Sequence, residues 1–253
     1  IAFLVGDFID LETSYLIKQL SESLNIKKIE CRQEGVRIPY SDRSQYLFNS
    51  TINGIEESDC ILIIGSNVRE EAPIINTRIR KHLLNKNIPI GLIGEKFDLT
   101  FDYEHLGNDL NILKSISDGE NNFCKILGKA KKPMIIIGQS VLNRDDSLNA
   151  YSLIEDIVHQ YSFLDSSWNG VNTLQLSASR IGALDMGCYQ SSRSLKDIYA
   201  DAESGSLKLL FSFGADEIDY SKFQNTKIIY MGSHGDRGAS NADLILPSAA
   251  YTE

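Results

Sequence analysis

Short apolar runs alternate along this chain with longer stretches whose apolar positions recur every three or four residues. Ile1–Val5, Cys60–Ile64, Ile88–Ile93, Pro133–Ile137, Leu207–Phe213, Lys227–Met231 and Ala242–Leu246 are of strand length. Most are continuously apolar, which marks strands covered on both faces, as in a parallel sheet. Lys27–Glu30 is a shorter candidate. Six strand candidates end in glycine, at Gly6, Gly65, Gly94, Gly138, Gly214 and Gly232. Between them, Leu11–Leu24, Ala72–Leu84 and Ser147–Tyr161 predict helices. In the first of these, Leu16, Ile17, Leu20 and Leu24 fall on one apolar face. Pro73 suits a first helical turn, and Glu70 and Glu71 suit a helix N-terminus. Strand, glycine turn, helix and strand over 60–93 make a right-handed βαβ unit. Cys31 to Asn49 is polar, carries Gly35 and Pro39, and reads as a long loop. The expected fold class is α/β, with parallel sheets flanked by helices in two lobes rather than one sheet.

Composition narrows the function classes. The chain has 253 residues and a formal charge of −9, from 25 basic and 34 acidic side chains. That balance argues against nucleic acid as a partner, because no broad basic face can neutralise phosphates. A chain of this size can bury roughly 70% of its unfolded surface and needs no disulfide staple. Cys31, Cys60, Cys124 and Cys188 are scattered without CxxC spacing, which predicts reduced thiols and no zinc or iron–sulfur site in this chain. No stretch reaches the ~20 apolar residues of a membrane span, so no direct membrane insertion is expected. The chain opens on an apolar run and stops at Tyr251-Thr252-Glu253 just after another, so 253 residues is expected to be an excised piece.

Parallel α/β sheets bind ligands at the carboxyl ends of their strands. Gly65-Ser66-Asn67 is the best phosphate cradle, since glycine permits close approach and a helix follows. The plain alternative is a strand-to-helix turn, and Glu70 and Glu71 would repel an anion there. In Gly232-Ser233-His234-Gly235-Asp236-Arg237-Gly238, His234 and Asp236 could do acid–base work and Arg237 could hold a carboxylate or phosphate. That loop can equally be a flexible one that pins a neighbouring domain. Asn172 to Gly187, with Arg180, Gly182, Asp185 and Gly187, can approach a cofactor closely or simply pack under a sheet. Trp168, in a polar turn, reads as a plug over a core. His82 and His159 fall on helices as surface or half-buried residues, and His105 lies in a polar stretch. No GxGxxG, Walker loop, HExxH or GxSxG is present.

Several segments carry a resemblance. Ser58-Asp59-Cys60-Ile61-Leu62-Ile63-Ile64-Gly65-Ser66-Asn67 with Glu71-Ala72-Pro73 resembles the strand–GxN–helix signature of the molybdopterin oxidoreductase superfamily. Gly182-Ala183-Leu184-Asp185-Met186-Gly187 is similar to its small-residue cofactor loop. Ala242-Asp243-Leu244-Ile245-Leu246-Pro247 with Tyr251-Thr252-Glu253 is similar to its ADxxLP segment. Three further segments resemble one branch, the large iron–sulfur subunit of NADH:quinone oxidoreductase, respiratory complex I. They are 93–100 with His105-Leu106-Gly107, Lys131–Gly138 and Gly232–Ala239. The resemblance covers essentially the whole chain.

That resemblance implies the C-terminal, molybdopterin-enzyme-like domain of the subunit, built as two interleaved Rossmann-like lobes. The expected lobes are 51–199, inserted into a discontinuous lobe of 1–50 and 200–253. It implies iron–sulfur clusters in N-terminal regions outside this chain, and electron transfer from NADH towards quinone by the whole subunit. Expected partners are those cluster-bearing domains and other peripheral-arm subunits, on the cytoplasmic face of a bacterial inner membrane or the mitochondrial matrix side. In the molybdenum enzymes the two loops hold a pterin dinucleotide, which makes Gly65, Ser66, Asn67, Gly182 and Asp185 the candidate cofactor-binding residues. In the complex I branch that cofactor is thought lost. Gly94-Glu95-Lys96 stands here where the molybdenum enzymes usually carry Asp-Pro-Arg, and Ser179-Arg180 where they tend to carry Asn. The expectation is therefore a scaffold and docking domain with no catalytic residue, metal or cofactor of its own. The alternatives are an active molybdopterin-dependent oxidoreductase domain and a nucleotide-binding module using the Gly65 turn.

Overall fold

A computed structural model of the chain describes residues 1–37, 40–250 and 252. Pro39 of the expected loop, and Tyr251 and Glu253 beside the ADxxLP segment, lie outside the described residues. The elements run β1 (Ala2–Val5), α1 (Leu11–Ser23), β2 (Ile29–Glu30), α2 (Thr51–Gly54), β3 (Cys60–Ile64), α3 (Val68–Glu71), α4 (Pro73–Asn85) and β4 (Ile90–Ile93). They continue with β5 (Glu104–Gly107), α5 (Leu110–Ser117), α6 (Cys124–Leu127), β6 (Pro133–Ile137), α7 (Gln139–Leu142), α8 (Ser147–Gln160) and β7 (Val171–Thr173). Last come α9 (Arg180–Asp185), α10 (Leu195–Glu203), β8 (Leu209–Phe213), β9 (Lys227–Gly232), α11 (Arg237–Asn241) and β10 (Leu244–Pro247).

The chain divides into two compact units, each with its own parallel sheet, and the fold class is α/β. The first unit joins Ile1–Val36 to Ser177–Glu253 and the second is Arg37–Leu176. These bounds differ from 51–199. Residues 37–50 belong to the second unit because their backbone bonds to its last strand. Thr173 N donates to Leu47 O at 2.9 Å, and Phe48 bridges to Asn172. Residues 177–199 belong to the first unit, where Ser179 N donates to Asp7 O at 3.0 Å and α9 packs on α1.

In the first unit the strand order is β10-β9-β8-β1-β2. The β1 strand pairs with β8 in the register Phe3↔Phe211 and with β2 at Phe3↔Ile29. One face of this sheet packs Ala2, Leu4 and Leu210 against Leu195 and Ile198 of α10. On the other, the Phe3 ring meets Phe211 and Phe213 edge-on at 5.2 and 5.5 Å. The α1 helix is capped by Asp10, which accepts from Thr13 N. The face it buries is Ser14, Ile17 and Ser21, whereas Leu16, Leu20 and Leu24 are exposed. The buried Ser14 and Ser21 hydroxyls donate to Asp10 O and Lys18 O, so the face carries no unsatisfied hydroxyl.

In the second unit the order is β5-β4-β3-β6-β7, all parallel. Ile61, Ile63, Met134 and Ile136 pack against Val68, Ile75 and Ile79. Trp168 joins this core, and its Nε1 donates to Pro133 O at 2.7 Å. His82 is buried rather than half-exposed, with its Nε2 paired to Ser58 O at 2.9 Å. His105, in its polar stretch, lies on edge strand β5, with Nε2 paired to Gly94 O at 2.8 Å. All four cysteines are free and buried.

Candidate functional site

In the second unit the carboxyl ends of β3, β4 and β6 meet at Gly65, Gly94 and Gly138. Gly65 takes φ +62°, a left-handed conformation that favours glycine, and it turns the chain from β3 into α3. A Cβ on Gly138 would stand 2.1 Å from Gly65 O, so β6 can close on the turn only without a side chain there. Ser66, 1% exposed, points its hydroxyl at the chain's own Glu71 and donates to Oε2 at 2.8 Å. Asn67 N donates to the other carboxylate oxygen, Oε1, at 3.1 Å. Asn67 Oδ1 is buried without a hydrogen-bond partner. The cavity beside the turn, lined by Gly65, Gly94, Asp109 and Arg144, is about 70 Å³. Small-molecule ligand pockets run to roughly 300–1,000 Å³. A dinucleotide phosphate does not fit this turn as it stands, because the Ser66 hydroxyl and the Asn67 amide are already given to the Glu71 carboxylate.

Gly182 and Asp185 belong to the first unit, and they lie on helix α9 rather than in a loop. A Cβ at Gly182 would come 3.2 Å from Leu11 Cδ1, so this glycine serves the packing of α9 on α1. Asp185 ends the helix and is exposed. The residue at the strand end lies two positions before Gly182. Arg180 is 2% exposed and reaches the carboxyl end of β1. Its guanidinium donates to both oxygens of Glu34, Nη2 to Oε2 at 2.7 Å, and lies 3.5 Å from Asp7 Oδ1. Ser179 Oγ donates to Gly6 O at 2.8 Å, and Gln33 Nε2 to Asp7 Oδ1 at 2.9 Å. Side chains of the chain itself therefore occupy the ground above β1.

A cavity of about 630 Å³ lies at the carboxyl ends of β8 and β9 in the same unit, between Phe8, Phe213, Met231 and the 232–236 loop. Two of the carboxylates lining it are engaged: Asp10 caps α1, and Asp216 accepts from Tyr230 Oη at 2.9 Å and Gly238 N at 2.8 Å. His234 and Asp236 are exposed on the loop above, Arg237 is exposed at the start of α11, and His234 Nδ1 pairs with Ser233 Oγ at 2.9 Å. Among the described residues no three His, Cys, Asp or Glu side chains stand together as metal ligands. No helix among them is long and apolar enough to cross a membrane.

Two features escaped the sequence reading. Glu71 does not merely repel anions from the turn but binds it, and Arg180 pairs with Glu34 across 146 residues of chain. The first had a local signal, since position 71 follows 67 by one helical turn. The second had none.

Two parallel five-stranded sheets, each with glycine turns at strand carboxyl ends, define an α/β protein of the parallel-sheet class. The chain belongs to the molybdopterin oxidoreductase family, whose pattern it matches over residues 1–253. It is 39% identical over 265 residues to the NADH-ubiquinone oxidoreductase 75 kDa subunit of Reclinomonas americana, covering 98% of this chain and 38% of that one. It is 37% identical over 253 residues to an NADH-quinone oxidoreductase subunit of Rickettsia felis, covering 100% and 36%. The mitochondrial NADH-ubiquinone oxidoreductase 78 kDa subunit of Candida albicans is 39% identical over 254 residues, covering 99% and 34%. The chain thus spans little more than a third of the length of these relatives.

Proposed function

We propose that this chain is the molybdopterin-oxidoreductase-like portion of the large iron–sulfur subunit of NADH:quinone oxidoreductase, and that it acts there as a cofactor-free scaffold and docking domain. Its place would be the peripheral arm of respiratory complex I, on the cytoplasmic face in bacteria or the matrix side in mitochondria. The clusters that carry electrons from NADH towards quinone would lie in other parts of the subunit. Its partners would be those cluster-bearing domains and neighbouring peripheral-arm subunits. The observation that carries the reading is Arg180, whose buried guanidinium, held by Glu34 and Asp7, fills the ground above β1 where this fold places ligands. The relatives' names support the assignment to the complex.

The test is chemical. The protein is purified from a host that makes the pterin cofactor, then assayed for molybdenum and iron and for pterin fluorescence after oxidative release. The reading expects none of the three at stoichiometric level in this chain. Stoichiometric pterin or molybdenum would overturn it in favour of an active molybdopterin-dependent domain.

A further inference from the structure

We infer that Glu71 is a built-in stand-in for a ligand phosphate at the Gly65–Asn67 turn, closing that turn from within. The geometry is specific. Two donors, the Ser66 hydroxyl and the Asn67 amide, each meet a different oxygen of one carboxylate, at 2.8 and 3.1 Å. Carboxylates and phosphates present paired anionic oxygens to such donors in the same way, and charge-assisted bonds of this kind are the strong ones.

The local backbone explains why position 71 can do this. Glu71 closes α3, a single helical turn, in which Glu71 N donates to Asn67 O at 2.8 Å. Ala72 then leaves helical geometry at φ −146°, ψ 66°, and Pro73 begins α4 afresh. The side chain of residue 71 is thereby returned over residues 66 and 67 instead of continuing along one long helix. Glu70, next to it, is exposed, so only one of the two acids is used. Ser66 is almost wholly buried, so without Glu71 its hydroxyl and the Asn67 amide would lack a partner that water could easily replace.

The inference rests on the cofactor-free reading in taking the turn for a former ligand contact. Its test uses the full chain, first assayed for bound pterin, as wild type, Glu71→Ala and Glu71→Gln. Thermal unfolding is followed with sodium pyrophosphate and with sodium chloride of equal ionic strength. Pyrophosphate leaves the wild-type Tm unchanged relative to chloride. Glu71→Ala lowers Tm in chloride by roughly 2–8 °C. Pyrophosphate at about 10 mM then restores about 3 °C if it binds the opened turn with Kd of about 1 mM. Glu71→Gln, which keeps the volume but offers one acceptor, falls between the two, and serves alone should the alanine variant not fold. A wild type stabilised by pyrophosphate as much as the variants overturns the inference, as do variants that keep the wild-type Tm or gain nothing from the anion. Pterin in the wild type would defeat the cofactor-free reading itself, whereas a pterin-free protein with unresponsive variants defeats only the role given to Glu71.

Discussion

Arg180→Ala should be among the most damaging single substitutions in the first unit. The guanidinium is 2% exposed, and two carboxylates depend on it: Glu34, held by both terminal nitrogens, and Asp7 at 3.5 Å. At an effective dielectric of about 20, a charge pair at that separation is worth about 5 kcal/mol before solvation is counted. Truncating one member of a fully buried pair costs about 3–5 kcal/mol, mostly because the partner is left uncompensated. Here the Glu34 and Asp7 side chains are 27% and 26% exposed, so water recovers part of that. Roughly 2–4 kcal/mol of lost stability is the expected result. At about 2–4 °C per kcal/mol for a protein of this size, Tm falls by roughly 4–16 °C. Arg180→Lys keeps the charge but not the two-pronged contact, and should lose about 1–2 kcal/mol. The assay is urea unfolding followed by circular dichroism, with the midpoint lowered and the slope unchanged. A loss under about 0.5 kcal/mol for the alanine variant would place the pair with ordinary surface ion pairs and refute the argument that it fills the strand end.

Three other outcomes follow from the structure. Leu16→Gln on the exposed face of α1 should change stability by less than about 0.5 kcal/mol, whereas Ser21→Leu on the buried face should cost about 1–3 kcal/mol through overpacking; urea midpoints in the reverse order would show that the helix buries its leucines. Burial pushes the Cys60 thiol up to about 12 and Cys188 to about 11. Ellman's reagent at neutral pH should therefore label neither until the chain is unfolded, and rapid stoichiometric labelling of the native protein would contradict this. The Lys28 ammonium, 2.6 Å from Asp201, holds that carboxyl below its usual 3.8. The pair then adds stability above the unfolded value and loses it as pH falls through the lower folded one. Asp201→Asn should cost about 0.5–1 kcal/mol at neutral pH, with the difference shrinking in acid; a difference independent of pH would exclude the ion pair as its source.

The inner strands were legible because a parallel sheet covered on both faces needs uninterrupted apolar runs. Cys60–Ile64 and Pro133–Ile137 stand as read, and every one of their residues is buried. The edge strands of the second unit were not. Glu104–Gly107 and Val171–Thr173 are short and carry polar residues, since one side of each lacks a strand neighbour and their pattern gives no run to detect. The α1 helix was found but its buried side was not. Its buried side carries two serines beside Ile17, a face that hydrophobicity alone does not report. Of the candidate residues, Gly65, Ser66 and Asn67 lie together at a strand end, while Gly182 and Asp185 sit on a helix whose glycine faces another helix. A motif marks where backbone can come close, but not whether a neighbour such as Glu71 or Arg180 has already arrived.

The sheet of the first unit has its own consequence in time. One of its inner strands, β1, precedes the whole of the second unit, yet its neighbour β8 follows it. At roughly 5–20 residues per second, a ribosome needs about 10–40 s between the two. Throughout that interval Phe3 and Leu4 have only the two-residue β2 to pair with, while residues 37–176 already contain every strand of their own sheet. The order of synthesis therefore makes the second unit the natural first folder and leaves β1 as an apolar strand waiting for its partner. That long-range pairing carries a large loop-closure cost, the kind that slows folding and leaves sticky chain exposed.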